Sequence, residues 1–227
     1  SLKDIMVWRE EELLATEILA NITRGYGHFY MIGRGANGST ARTVYRLMLR
    51  PDMKKVYLSF PMSHVMDLPQ TLAEIEAFKR ELNEHFTCFD PGDVDEYMLQ
   101  TRALAALQDG VKTIEVTTSE GTISLNCADV AHCAGDIAGQ IYARDFKMID
   151  QSDLIISYVP QMPSGKPGIS SGVERELQHA FEGGKEVYVV WACSATPSPF
   201  ITQTATRVFA NTQQAVEFFR SRGYIKP

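Results

Sequence analysis

The sequence predicts an α/β fold in which a parallel β-sheet is covered by helices on both faces. Short segments rich in β-branched and aromatic residues alternate with segments that have apolar residues at helical spacing. Two of the apolar runs, DLIISYV (153–159) and KEVYVVWA (185–192), are nearly continuous, as expected of strands that are buried on both faces. The 227 residues, 44% of them hydrophobic and 22% charged, are enough for a sizeable core.

The N-terminal third is predicted to alternate between helix and strand. WREEELLATEILANI (8–22) has early acidic residues and helical apolar spacing, and HFYMIG (28–33) predicts a short strand. Residues 39–49 predict a second helix. KKVYLSF (54–60) predicts a strand because it concentrates aromatic and β-branched residues, and 68–86 predicts a long amphipathic helix.

The middle of the chain predicts a hairpin between helices. TCFDPGD (87–93) is typical of a short strand that enters a turn, and 98–108 predicts a helix. KTIEVTTSEGTISLN (112–126) alternates around a Ser-Glu-Gly turn, which predicts a β-hairpin. A helix over 136–152 then leads into the buried strand at 153–159.

The C-terminal part completes the alternation of strands and helices. GISSGVERELQHAFEGG (168–184) predicts a loop that runs into a helix, and the strand at 185–192 follows it. Residues 206–210 predict a short edge strand, and 212–223 predict the last helix. Such alternation builds βαβ units, whose ligands bind at the carboxyl ends of the strands. The loops selected by this rule are 59–64, 90–93, 160–171 and 192–199.

Composition excludes several classes of function. The net charge of −6 gives no basic surface for nucleic acid, and we find neither a membrane-spanning run nor a signal peptide. The four cysteines have no disulfide-framework spacing, which predicts a cytoplasmic protein. Cys127, His132 and Cys133 give only three ligands without a fourth, so we expect no metal site there.

A glycine-rich motif lies near the N-terminus. GRGANG (33–38) matches the dinucleotide-binding pattern, but the next strand ends in LSFPMS without the acidic residue that would bind a ribose hydroxyl. It also lacks the Gly-Lys-Ser/Thr ending of a P-loop. We therefore expect a turn rather than a nucleotide site.

The start of the helix after residue 168 carries two carboxylates with different expected roles. Ser171 and Glu174 have the spacing of a capping box, with Gly172 between them, which gives Glu174 a structural role. Glu176 is not needed by the cap and flanks the apolar stripe of the helix. It is a candidate nucleophile or base, with an ordinary surface glutamate as the alternative.

Three segments, taken in order, resemble a known family. VYLSFPMS (56–63), ARDFKMIDQSDLIISYV (143–159) and ISSGVERELQHA (169–180) are similar to the nucleoside 2-deoxyribosyltransferase superfamily, which includes the nucleoside 5′-monophosphate N-glycosidases. The resemblance implies a flavodoxin-like sheet and covers about residues 54–210. It leaves 1–53 as an N-terminal extension beside a domain at 54–227, with 98–135 as an insertion.

The resemblance also implies catalytic residues. Glu176 matches the nucleophile that attacks the anomeric carbon, and Asp145 matches an acid that helps to hold that glutamate and the base. Tyr57 matches a tyrosine near the nucleophile. In the alternative interpretation, Asp145 is a helix acid paired with Arg144 or Lys147, and Tyr57 is a core residue.

Further positions are implied as substrate contacts. Ser170 matches a serine that contacts the 5′-phosphate in the glycosidases, and the helix start adds Ser171 and Gly172. Ser198 matches a second phosphate-contacting serine that reaches across a dimer interface. Both serines favour the nucleotide branch of the family and a homodimer or larger homo-oligomer, although either could be a plain loop residue.

The sequence departs from the glycosidase pattern after the first strand. Phe60-Pro61-Met62 stands where the glycosidases have a Gly-Ser loop and is closer to the transferases, so Ser59, Pro61 and Met62 become the expected substrate contacts there. Arg175 replaces the usual aromatic residue before Glu176. The expected activity is cleavage of the N-glycosidic bond of a nucleoside 5′-monophosphate, a reaction that is expected to need no metal and no organic cofactor. The alternatives are base exchange on deoxynucleosides and a non-catalytic nucleotide-binding module of a larger protein.

Overall fold

The computed structural model describes residues 14, 18, 30–32, 39–91, 94–118 and 121–225. Their contacts divide the chain into two compact units, one of Ser1–Met31 with Asp93–Asp145 and one of Ile32–Gly92 with Phe146–Pro227. None of the described helices combines the length and the apolar character that crossing a membrane requires.

The larger unit contains a five-stranded parallel sheet. Its strands are β1 (Lys55–Ser59), β2 (Thr87–Phe89), β5 (Leu154–Pro160), β6 (Glu186–Ala192) and β7 (Arg207–Phe209). They lie in the order β2-β1-β5-β6-β7, and every neighbouring pair is parallel. Counted within this sheet alone, the order is 2-1-3-4-5, which is the flavodoxin-like arrangement. The predicted α/β fold class is confirmed.

The helices of this unit are bounded as follows: α1 Ser39–Leu49, α2 Met62–Val65, α3 Pro69–His85, α6 Ser171–Glu182, α7 Pro199–Thr204 and α8 Thr212–Ser221. Helices α3 and α8 cover the sheet face that carries Val56 and Leu58. Side chains alternate along a strand, so Tyr57 and Ser59 lie on the opposite face. That face is covered by α6, whose Glu176 reaches both of them.

The smaller unit contains helix α4 (Val94–Gln108), strands β3 (Thr113–Thr118) and β4 (Gly121–Asn126), and most of helix α5 (Cys127–Asp150). The two strands form the predicted antiparallel hairpin. Its own core consists of Ala103, Ile114, Leu125, Cys127, Val130 and Cys133.

Several predicted boundaries were wrong. Helix α5 begins at Cys127 rather than at 136, because the side chain of Asn126 accepts hydrogen bonds from the amides of Ala128 and Asp129 and caps the helix there. Helix α4 begins four residues before the prediction, at Val94, and the short helices α2 and α7 were not predicted.

The N-terminal predictions fall mainly outside the described residues. Residues 30–32, from the predicted strand at 28–33, have no strand structure, while 14 and 18, from the predicted helix at 8–22, are helical. The glycine-rich motif at 33–38 lies outside the described residues. Residues 39–53, which we assigned to an N-terminal extension, belong to the larger unit, and most of them form α1.

Candidate active site

The order of the strands places a crevice at the carboxyl ends of β1 and β5. The chain goes from β1 to β2 on one side and returns to β5 on the other, so the order reverses between these neighbours. In open α/β sheets ligands bind outside the carboxyl ends of the strands at such a point. Strand β1 ends at Ser59, and helix α6 follows β5 in the chain.

The carboxylate of Glu176 is held at this point by two hydroxyl groups of β1. Tyr57 Oη donates to Glu176 Oε1 at 2.9 Å, and Ser59 Oγ donates to Glu176 Oε2 at 2.5 Å. Both donors are 0% exposed, whereas Glu176 is only partly buried. Hydrogen bonds from hydroxyls to a carboxylate are short and strong, and one on each oxygen fixes the orientation of the carboxyl group. The carboxylate is thus rigidly placed at an edge where ligands bind in this fold.

The local sequence explains why these three groups meet. Tyr57 and Ser59 are two residues apart on a strand, so they share a face. Val173, Leu177 and Ala180 bury the apolar stripe of α6 against the sheet, and Glu176 lies beside that stripe. The sequence predicted a substrate contact for Ser59, but in the structure the residue is fully buried and binds Glu176 instead.

The predicted capping box at Ser171 was wrong. The N-cap of α6 is Ser170, whose extended backbone (φ −98°, ψ 158°) lets its Oγ accept a hydrogen bond from the Val173 amide at 3.2 Å. The residue at the third helical position is therefore Val173, which cannot complete a capping box, and Glu174 is exposed.

With Ser170 as the N-cap, the residues predicted to contact a phosphate still have hydrogen-bond donors for an anion. A hydroxyl that accepts one amide proton still has its own proton to donate, so Ser170 can cap the helix and bind an anion at once. The amides of Ser171 and Gly172 lie in the first turn, where N–H groups have no partner within the helix. Both residues are exposed.

The loop that delivers Ser170 is closely folded. Met162 N donates to Lys166 O at 2.8 Å, and Gly168 N donates to Pro160 O at 2.7 Å. A Cβ atom on Gly168 would lie 2.7 Å from Met162 Sδ, so any larger residue there would force the Met162 side chain to move. The hydrogen bonds and this contact hold the loop in place before α6.

Pro61 and Met62 belong to the turn after β1. Pro61 is buried and precedes the one-turn helix α2, with its carbonyl accepting from the His64 amide at 2.9 Å. Met62 packs against the core cluster that contains Val56 and Leu58, on the sheet face opposite Glu176. A substrate contact for either residue remains a prediction.

Asp145 belongs to the smaller unit and lies near the C-terminal end of α5. It accepts a hydrogen bond from Arg144 Nε at 3.1 Å, the pairing that the alternative interpretation proposed. The implied role of Asp145, which is to help hold Glu176 and the base, remains a prediction.

Ser198 lies next to the side of α6 that does not carry Glu176. It is exposed and precedes α7, and it lines a groove of about 240 Å³ together with Glu174, Gln178 and Phe200. Glu176 lies roughly 160° round the helix from both Glu174 and Gln178 at 3.6 residues per turn. Ser198 therefore does not face the Glu176 carboxylate of its own chain.

Two polar features of β5 were not predicted from the sequence. Ser157 interrupts the aliphatic residues of β5, which was a visible signal, and it is 0% exposed. Tyr158 Oη donates to Glu74 at 2.9 Å on the opposite sheet face, beside an open groove of about 710 Å³ between α3 and α8. Burial, then the bond to Glu74, raises the pKa of Tyr158 well above 10.0.

Comparisons with known proteins give no family. Neither the protein-family models nor the curated proteins that were searched include a match to this sequence. Among the described residues, no group of three or more His, Cys, Asp or Glu side chains is arranged to hold a metal ion.

Proposed function

We propose that the protein cleaves the N-glycosidic bond of a nucleoside 5′-monophosphate, with Glu176 as the nucleophile. The observation that carries this proposal is the position of Glu176, which accepts hydrogen bonds from Tyr57 and Ser59 at the carboxyl edge of the sheet. The ordered motifs that resemble the nucleoside 2-deoxyribosyltransferase superfamily supply the reaction class. A carboxylate at this edge is suited to stabilising or trapping an oxocarbenium-like centre.

The proposed reaction has two displacements. A lone pair of a Glu176 oxygen forms a bond to the anomeric carbon, while the electrons of the C–N bond leave with the base, which takes a proton from water. A water molecule then attacks the same carbon and loses a proton, and the ester bond to Glu176 breaks to restore the carboxylate. The products are the free base and a sugar 5-phosphate.

The 5′-phosphate is assigned to the start of α6. The Ser170 hydroxyl and the amides of Ser171 and Gly172 are hydrogen-bond donors at the positive end of a 12-residue helix. Binding energy from a phosphate that does not react can be used at the reacting carbon. This assignment supports a nucleotide rather than a nucleoside as the substrate.

A second copy of the chain is part of the proposal. Ser198 faces away from the Glu176 of its own chain, so a phosphate contact by Ser198 would serve the site of a partner. Phe200, beside it, is 85% exposed and offers the partner an apolar side chain to contact. The proposal also includes a cytoplasmic location, which the four free cysteines support.

The experiment that tests the function is a substrate panel with the purified protein. Nucleoside 5′-monophosphates and the corresponding nucleosides are incubated with it, with and without a second free base, and products are separated by chromatography. We expect free base from monophosphates and much less from nucleosides. Base exchange on deoxynucleosides would replace the proposal with a transferase, and binding of nucleotides without any product would replace it with a non-catalytic module.

A further inference from the structure

The side chain of Ser157 is a buried hydroxyl that forms no hydrogen bond. It lies in the middle of β5 and is 0% exposed. Within the part of the chain that the structure describes, its Oγ is the buried side-chain polar atom without a hydrogen-bond partner. Such an atom destabilises a folded protein, so an unmet hydroxyl beside a candidate active site calls for a functional explanation.

Ser157 is the neighbour of the serine that holds Glu176. In the parallel pairing of β1 with β5, Ser157 lies opposite Ser59, and both side chains are on the face covered by α6. Neighbouring strands are about 4.8 Å apart, so rotation about the Cα–Cβ bond can bring the two hydroxyl oxygens within hydrogen-bond distance. Ser59 thus has two acceptors within reach, Glu176 Oε2 and Ser157 Oγ.

We propose that Ser157 is a positioning residue that accepts the hydroxyl proton of Ser59 when Glu176 forms its bond to the sugar. This inference rests on the proposed function. In the resting protein Ser59 donates to Oε2 of the carboxylate. When Oε2 gives its lone pair to the anomeric carbon, it becomes an ester oxygen and a poor acceptor. The Ser59 hydroxyl then turns to Ser157, while Tyr57 continues to donate to Oε1.

Moving the Ser59 hydrogen bond from Glu176 to Ser157 changes the free energy of the covalent intermediate relative to that of the resting state. In the resting state Ser157 alone is unmet. Without Ser157, forming the ester would leave Ser59 without an acceptor in a fully buried position. With Ser157 present, the new bond gives the Ser59 proton an acceptor and gives Ser157 Oγ a donor in the intermediate. Since Oε2 already shares its lone pair with the anomeric carbon in the transition state, the Ser59–Ser157 bond begins to form there, and Ser157 accelerates ester formation while it destabilises the resting fold.

The test compares Ser157→Ala with Ser152→Ala in the full chain. Ser152 is also buried, but its Oγ donates to Met148 O at 2.7 Å, so its hydrogen bond is already met. We expect Ser157→Ala to lower kcat for base release about five- to tenfold with KM unchanged, the loss of one hydrogen bond, without lowering the melting temperature. Ser152→Ala should lower the melting temperature and leave kcat unchanged.

A double substitution tests whether Ser157 acts through Ser59. In the Ser59→Ala background, Ser157→Ala should have no further effect on kcat, because the exchanging hydroxyl is already absent. If the wild type is active and Ser157→Ala has the same kcat, the role of Ser157 is overturned while the proposed function stands. A lower kcat accompanied by a loss of stability as large as that of Ser152→Ala, or full additivity with Ser59→Ala, would overturn that role too. A wild type that releases no base would overturn the proposed function and this inference with it.

Discussion

Two glutamates of the molecule make similar contacts at opposite ends of the sheet. Glu176 accepts hydrogen bonds from Tyr57 and Ser59 at the carboxyl end of β1. Glu186, the first residue of β6, accepts from Tyr224 Oη at 2.8 and 2.9 Å and from Tyr188 Oη at 3.2 Å. Each carboxylate thus has two hydroxyl donors, and neither arrangement could be distinguished from the other by its chemistry alone.

The surroundings of the two carboxylates differ. Tyr188 and Tyr224 both pack against Phe219, with ring centroids 5.1 and 6.3 Å away, so Glu186 ties the segment after α8 to the sheet. Glu176 instead joins α6 to β1 beside the loop that carries Ser170. Since ligands of parallel sheets bind at the carboxyl ends, the same contact is structural at one end and a candidate catalytic device at the other.

The largest expected difference comes from matched glutamine substitutions. Glu176→Gln removes the nucleophile and should lower base release by about 10³-fold or more, with a fall in melting temperature similar to that of Glu186→Gln, because each amide leaves a hydroxyl donor without its acceptor. Glu186→Gln should leave kcat unchanged and lower the melting temperature by about 2–4 °C, which corresponds to roughly 1 kcal/mol. Base release and thermal unfolding check both. Undiminished release by Glu176→Gln would remove it as the nucleophile.

The next effect concerns the second copy of the chain, which only the Glu176 site is proposed to need. Phe200→Glu places a charge on the exposed apolar surface beside Ser198 and should produce monomers with base release reduced about tenfold or more. Met48→Glu is the control, because Met48 is 72% exposed on α1. Light scattering after gel filtration gives the oligomeric state. A fully active Phe200→Glu monomer would contradict the shared site.

A smaller effect on KM should distinguish the N-caps of α6 and α8, which both lie at the carboxyl end of the sheet. Ser170→Ala and Asn211→Ala each remove a side chain that caps its helix, at α6 and α8 respectively, and each should cost about 1 kcal/mol of stability. Only Ser170→Ala should raise KM for monophosphates, about tenfold, while leaving KM for nucleosides unchanged. The measurement is steady-state kinetics on both substrates. An equal rise in KM for nucleosides would argue against a phosphate contact.

The smallest expected effect is a pH dependence of folding stability, caused by Tyr188 near the amino end of the sheet. Burial, then the hydrogen bonds and charges of Tyr224 and Glu186, raises the pKa of Tyr188 above its ordinary 10.0. The folded protein therefore keeps this proton at a pH where the unfolded chain loses it. The resulting stability is fully present below about pH 10 and is lost as the pH rises beyond that value.

Tyr188→Phe tests this dependence by removing the titrating group. The free energy of unfolding, measured by urea titration on either side of about pH 10, should fall less steeply in Tyr188→Phe than in the wild type. Parallel curves for the two proteins would show that Tyr188 does not contribute to the alkaline loss of stability.

Much of the fold could be predicted because periodicity is a local property. The central strands and the long helices on both sheet faces came from alternation and helical spacing, and the hairpin at β3–β4 came from its turn. The start of α5 was misplaced because a single side chain, Asn126, decides it. The cap of α6 was misplaced by one residue, since two adjacent serines offered the same hydroxyl.

The candidate site was only partly visible in the sequence. Glu176 could be selected because neither the cap nor the apolar stripe of α6 needs it, and Tyr57 through a family resemblance. Ser59 was selected as a substrate contact, yet the structure gives its hydroxyl to Glu176. Ser157 was not selected at all, because its importance depends on lying opposite Ser59.

The sequence by itself determined the parallel α/β class and its main strands and long helices, and it selected the acid of α6 that the helix cap does not need. Tertiary structure decided the partners of that acid. Tyr57 and Ser59 lie 119 and 117 residues before Glu176, and strand order and register bring them together. Patterns along a chain report local preferences, whereas contacts over such distances depend on how whole strands pair and helices pack.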